Sequence, residues 1–156
     1  MSVAAKVKSY LDERSIDYSL IPHPHTRSSM DTAASAHVPG DWLAKAVIVH
    51  HEDACLMVVV PSDYHVHLGL LHHHLGGEVG LVTESELADL FPDCEVGAIP
   101  PVGPAYGLRT LLDTKLRDAP EVYFEAGDHE SLVKVSGETF RSLMADVDTV
   151  DLAKHI

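Results

Sequence analysis

Apolar positions at helical spacing open the chain: Val3, Val7, Tyr10 and Leu11 predict an amphipathic helix over residues 3–14, with Ser2 as its N-cap. Asp17 to Ile21 reads as a short strand. Pro22-His23-Pro24-His25 then forces extended or turning backbone, because proline disfavours helix in the residue before it. Ala33, Ala34, Ala36 and Val38 predict a short helix begun by Ser29 or Asp31 and ended by Pro39-Gly40. The strongest strand signal follows. Residues 43–51 and 55–60 are β-branched runs on either side of Glu52-Asp53, the pattern of a hairpin.

Val66 to Leu75 predicts a helix ended by Gly76-Gly77, and Val79 to Val82 a strand. Thr83 and Glu86 have the spacing of a capping box, opening a helix that runs to about Phe91. Residues 96–108 are the most punctuated loop of the chain. Further strands are predicted at 109–112, 122–125 and 132–135. Ser136 then caps a last helix over 138–145, with Phe140, Leu143 and Met144 facing inward. Strands interleaved with helices, including a hairpin, predict a mixed sheet in a single α/β (α+β) domain over residues 1–156.

At 156 residues and 46% hydrophobic, the chain can bury one real core. Its formal charge of -13 argues against broad electrostatic capture of nucleic acid, so any such contact must be local. The longest apolar run, Leu56 to Pro61, falls far short of the roughly 20 residues that cross a bilayer. With no signal-peptide pattern at the N-terminus, a cytoplasmic protein without membrane contact is expected. Cys55 and Cys94 are too few for a disulfide framework and form no CxxC pair. Cys55 should lie in the core and Cys94 on the surface, and no local signature makes Cys94 a nucleophile.

Twelve histidines, most of them in His23-x-His25, His50-His51, His65-x-His67 and His72-His73-His74, raise the question of a metal. An HxH pair on a strand is a usable ligand geometry, but no HExxH or Cys/His pattern accompanies it, and consecutive helical residues diverge by about 100°. Solvated or capping histidines are expected, with no metal and no cofactor. The GxxxxGK[ST], GxGxxG and GxSxG elements are absent, which removes the usual support for phosphate loops, dinucleotide binding and a serine-hydrolase elbow.

Three places remain where chemistry can sit. Lys45 is alone among apolar neighbours on a strand, sharing a face with Leu43, Val47 and Val49. It is either a lysine at an exposed strand end or a half-buried clamp for an anion or carbonyl. Gly97-Ala98-Ile99-Pro100-Pro101-Val102-Gly103 is either a rigid connection or an oxyanion hole: glycine admits close approach of backbone, and prolines stiffen the segment while removing donors. Ala126-Gly127-Asp128-His129 sets a histidine beside a carboxylate in a turn, a composition also common on plain surfaces.

Taken in order, Ala44-Lys45-Ala46-Val47, Leu87 to Phe91, Gly97-Ala98-Ile99-Pro100-Pro101, Asp113 and Ala126-Gly127-Asp128-His129 before Leu132-Val133-Lys134-Val135 resemble the YbaK family. These are aminoacyl-tRNA deacylases related to the editing domain of bacterial prolyl-tRNA synthetase. The resemblance runs from about Val3 to Leu143. It implies a mixed-sheet, mainly antiparallel fold and hydrolysis of the ester that joins a wrong, small amino acid to the 3′ end of a tRNA. Lys45 looks like the family's essential lysine, Gly97 and Pro101 like its GxxxP loop, and His129 like the histidine of the editing-domain branch. Those three, Lys45, His129 and Gly97, are the implied catalytic residues. Ala46, Ala98, Ile99 and Pro100 stand beside them as implied substrate-binding positions, with Pro101, Gly103, Asp113 and Gly127 completing that set. Several relatives carry a polar residue directly after the lysine, where this chain has Ala46. Expected partners are a tRNA acceptor end and an aminoacyl-tRNA synthetase. The alternative is a non-catalytic module that binds an aminoacylated end, an amino acid or a synthetase.

Overall fold

The two β-branched runs pair as the hairpin pattern requires. In the computed structural model, which describes residues 3–26, 28–95 and 97–155, β2 (Leu43–His51) lies antiparallel to β3 (Ala54–Pro61), with Ala44 opposite Pro61 and His51 opposite Ala54. Glu52 takes the turn with a positive φ of 55°. Around this hairpin the sheet runs β1 (Ser19–Pro22), β8 (Ser131–Ser136), β7 (Glu121–Glu125), β2, β3, β6 (Thr110–Asp113), β9 (Asp148–Val150), and β5 (Val79–Leu81) adds to β2. The pairs β7/β2, β3/β6 and β6/β9 are parallel and the remaining pairs antiparallel. This is the mixed, mainly antiparallel α/β architecture expected from the sequence.

Alternation divides the sheet's two faces. Ala44, Ile48, Met57, Val59 and Phe124 enter the main core, which α1 (Ala5–Glu13) covers with Val7 and Leu11 and α5 (Gly137–Leu143) with Phe140 and Leu143. Val49, Val58, Val60 and Leu111 face the other way, against Leu71 of α3 (Leu68–Leu75) and Leu152. A small third cluster joins Leu43 and Leu132 to Ala33 of α2 (Ser29–Ala36). Lys45 therefore stands on the face of Leu43, Val47 and Val49, where two apolar clusters meet.

The local signals at α4 (Glu84–Leu90) and α5 operate as written: Thr83 and Glu86 form the capping box, and Ser136 accepts the Thr139 N–H. The proposed Ser2 cap lies outside the described residues. Elsewhere the boundaries shift. Ser28, rather than Ser29 or Asp31, caps α2 by accepting the Asp31 N–H. That helix ends in a left-handed His37 with φ 57°, so Pro39-Gly40 starts the next 3-10 turn instead. Val66 belongs not to a helix but to β4 (Tyr64–Val66), which pairs with β10 (Ala153–His155), and His67 caps α3 through the Leu70 N–H. No short-range pattern announces β4, β9 or β10, because each exists through a partner distant in sequence. Cys55 is half-buried rather than core. Cys94, expected at the surface, packs its thiol 3.3 Å from the Tyr106 hydroxyl, and burial pushes the thiol up to about 12, so it stays protonated. No helix among the described residues is long and apolar enough to cross a membrane.

Candidate active site

The sheet splits beside β2, and the split makes a pocket. β7 pairs with β2 only at Leu43–Tyr123 and Ala44–Phe124, and β5 only from Val49 onward. The next residues along the two parallel strands, Lys45 and Glu125, are no longer paired with each other and instead line a cavity of about 200 Å³. Its other walls come from Ala44, Ala46, Gly97, Ile99 and the start of α2 at Ser28 and Ser29. Open α/β sheets place ligand sites in such crevices, where backbone groups and side chains are released from the ladder together.

Lys45 is half-buried, and its Nζ reaches the Ser62 carbonyl oxygen at 3.3 Å. Burial lowers its pKa from the ordinary lysine value, and the Asp63 carboxylate partly opposes this. The ammonium is thus a cation with incomplete solvation at the cavity wall, able to hold an anion or a polarised carbonyl.

Gly97 has φ 87°, a left-handed conformation that favours glycine, and it exposes its backbone to the cavity. The Ala98 N–H is committed to the Glu95 carbonyl oxygen at 3.0 Å, and Pro100 and Pro101 have no N–H. Of the loop's residues, Gly97 and Ile99 line the cavity, and each carries an N–H. Val96 lies outside the described residues. The loop is tied to the histidine turn through the Glu95 N–H, which donates to the Gly127 carbonyl oxygen at 2.8 Å. Gly127, with φ 123°, lies close against Ala4, where a Cβ would be crowded.

His129 is 4% exposed and stands behind the pocket rather than among its lining residues, with Nδ1 3.2 Å from Glu125 Oε2. Glu125 is itself 4% exposed, and its other oxygen lies 2.8 Å from His23 Nε2. Burial raises the Glu125 carboxyl to about 7, with Asp128 pushing the same way and His129 opposing. Sequence reasoning did not single out Glu125 or Ser28, and it read His23 only as part of an HxH pair and Ser29 only as a helix start. The only available signal was a carboxylate at the end of an apolar strand, and a strand's terminal Glu is ordinarily solvated.

Two expected positions serve the frame. Asp113 is wholly buried, accepting the Lys115 N–H at 2.9 Å and the Leu152 N–H at 2.8 Å, and it is not among the pocket's lining residues. Gly103 packs so tightly on Thr110 that a Cβ would collide with its hydroxyl. Of the other clustered histidines, His67 caps α3, while His51 and His72 contact the carbonyls of Gly76 and Gly77. Among the described residues no three His, Cys, Asp or Glu side chains are grouped to hold a metal ion.

The sequence model of the aminoacyl-tRNA editing domain matches residues 23–143, a span that contains every wall of the pocket. No curated protein matches the chain. Among solved structures, the hypothetical protein APE2540 is 23% identical, with a TM-score of 0.83 over 96% of this chain and 99% of its own. A candidate trans-editing enzyme for prolyl-tRNA synthetase is also 23% identical, with a TM-score of 0.82 over 97% of this chain and 96% of its own. At such identities the two structures speak for the fold, and the family match for the lineage. The chain belongs to the aminoacyl-tRNA editing domain family.

Proposed function

We propose that this protein is a trans-editing aminoacyl-tRNA deacylase that hydrolyses the ester of a mischarged tRNA carrying a small amino acid. The observation that carries the reading is the convergence of Lys45, on its strand, with Gly97 and Ile99, on their loop, around one cavity of about 200 Å³. Selection for a short side chain is steric, and close analogues differ by only ~1–3 kcal/mol per methylene in an apolar pocket. Discrimination between them falls to the tRNA or to a partner synthetase. An aminoacyl ester is already activated, so positioning a water and stabilising the tetrahedral oxyanion suffice. The N–H groups of Gly97 and Ile99 receive the developing oxyanion, Lys45 holds the terminal phosphate or carbonyl, and His129 orients the site from behind Glu125. With a net charge of -13 the contact with tRNA is local and weak, confined to the acceptor end, with a shallow dependence on salt.

The test is a panel of alanyl-, cysteinyl-, seryl- and threonyl-esters on non-cognate tRNAs, followed for multiple turnovers with the wild-type protein and Lys45→Ala. Turnover of at least one ester by the wild type and its loss in the variant support the reading. Stoichiometric protection of every ester would establish the binding module instead, an outcome that Ala46 beside Lys45 and the acidic charge keep in view.

A further inference from the structure

Two hydrogen bonds fix the proton count of the buried pair beside the pocket. His23 Nδ1 lies 2.7 Å from the Pro24 carbonyl oxygen, and Nε2 lies 2.8 Å from Glu125 Oε1. A carbonyl oxygen only accepts, so Nδ1 carries a hydrogen. If the imidazole is neutral, Nε2 is an acceptor and the carboxyl must be protonated to donate to it. If the imidazole is charged, both nitrogens donate and Glu125 is a carboxylate. Either assignment leaves the pair holding one proton beyond a neutral imidazole and a free carboxylate. The side chains are 0% and 5% exposed, so this proton is shielded from bulk water everywhere except at the cavity that Glu125 lines.

We propose that the His23–Glu125 pair is the proton donor of the pocket, delivering its shared proton through Glu125 to the ribose oxygen that departs from the acyl group. The inference rests on the deacylase reading above and adds a residue pair to it. In the reaction the water oxygen bonds to the acyl carbon, the carbonyl π pair moves onto its oxygen, and one water hydrogen leaves to solvent. The carbonyl then re-forms, the bond from acyl carbon to ribose oxygen breaks, and its electron pair on that oxygen takes the proton from Glu125. The pair, one proton short, regains one from solvent. Ester and water become acid and alcohol, and no other reactant is needed. His23 touches no substrate and is a positioning residue that acts through Glu125.

The groups around the pair set when it can give up its proton. His129, on the turn after β7, faces Glu125 at 3.2 Å and packs edge-on against His25, whose ring pairs with Glu95. Asp128, on the same turn, disfavours the Glu125 carboxylate, while the Thr32 hydroxyl from α2 favours it. Lys45 lines the same cavity from β2. Burial outweighs these attractions, keeping the carboxyl protonated toward neutral pH.

Glu125→Gln keeps the shape and a donor toward His23 but has no proton to give. With the ester that the wild type turns over best, the saturating rate should fall about 100-fold or more while KM moves only a few-fold, since general acid catalysis contributes typically 10²–10⁴-fold. The wild-type rate should decline as pH rises through the titration of the pair, and the variant should lose that decline. His23→Gln, which keeps the carboxyl but removes its partner, should displace the decline along the pH axis. Nitrogen-15 spectra of the wild-type histidine rings give a readout without substrate, in which His23 Nδ1 carries its hydrogen. Wild-type rate and pH profile in Glu125→Gln, or a bare His23 Nδ1, would overturn the proton donor and leave the deacylase reading standing. A wild type inert toward every ester of the panel would overturn the deacylase reading and the donor with it.

Discussion

Replacing Asp113 by alanine separates a frame residue from a substrate-binding one, and its cost can be worked from four distances. The carboxylate is wholly buried and holds the Leu152 N–H at 2.8 Å, the Lys115 N–H at 2.9 Å and the Lys115 ammonium at 3.4 Å. The ammonium keeps Asp151 at 2.7 Å, so its loss is minor. The buried Leu152 N–H loses its acceptor, which costs about 1–3 kcal/mol. Losing the cap at Lys115 costs about 0.5–2 kcal/mol more. The sum, roughly 1.5–5 kcal/mol, is a large part of the total stability of a domain this size and lowers Tm by on the order of 10 °C. Urea unfolding measures the loss, and amide exchange at Leu152 should accelerate with it, because that N–H ties β10 to the sheet. Below the new Tm, kcat/KM on a mischarged tRNA should stay within a few-fold of wild type. A stability loss under about 1 kcal/mol accompanied by abolished turnover would refute the argument and assign Asp113 to the substrate.

Lys45→Ala should reverse that pattern. Its side-chain hydrogen bond to Ser62, at 3.3 Å, is long and its ammonium is partly desolvated, so urea unfolding should register about 1 kcal/mol or less, while deacylation falls about 10²–10³-fold. Gly103→Ala should destabilise by about 1–3 kcal/mol, since its Cβ meets Thr110, and Thr110→Ala in the same chain should recover part of this in thermal melts. Stability should also depend on pH through Glu125. Burial raises its carboxyl from 4.5 to about 7, so the folded state keeps this proton longer than the unfolded chain does. The contribution is therefore full below pH 4.5 and is lost as pH climbs through 7, by up to ~1.4 kcal/mol per unit. Glu125→Gln should remove this slope, and an unchanged profile of unfolding free energy against pH would contradict the burial argument.

The signals that read correctly from sequence are short-range ones. The hairpin of β2 and β3 follows from two β-branched runs and a polar turn, α4 from a capping box, and α5 from Ser136 with Phe140 and Leu143 on one side. Lys45 was visible as a candidate because one charge in an apolar strand requires a reason. Asp113, read beside it, sits in a capping role that resembles a functional carboxylate in sequence. Glu125 drew no notice, because a Glu ending a strand announces burial only when a distant histidine closes over it.

From the residues alone came most of the element types, the mixed sheet, and three candidate segments for chemistry, since propensity, capping and alternation act within a few positions of the chain. Tertiary structure decided where β7 and β5 leave β2, and with that the pocket between Lys45, Gly97 and Glu125. It also decided which protons the site holds. His23 and Glu125 are 102 residues apart, and their shared proton is a product of burial and geometry at that contact, which no local pattern encodes.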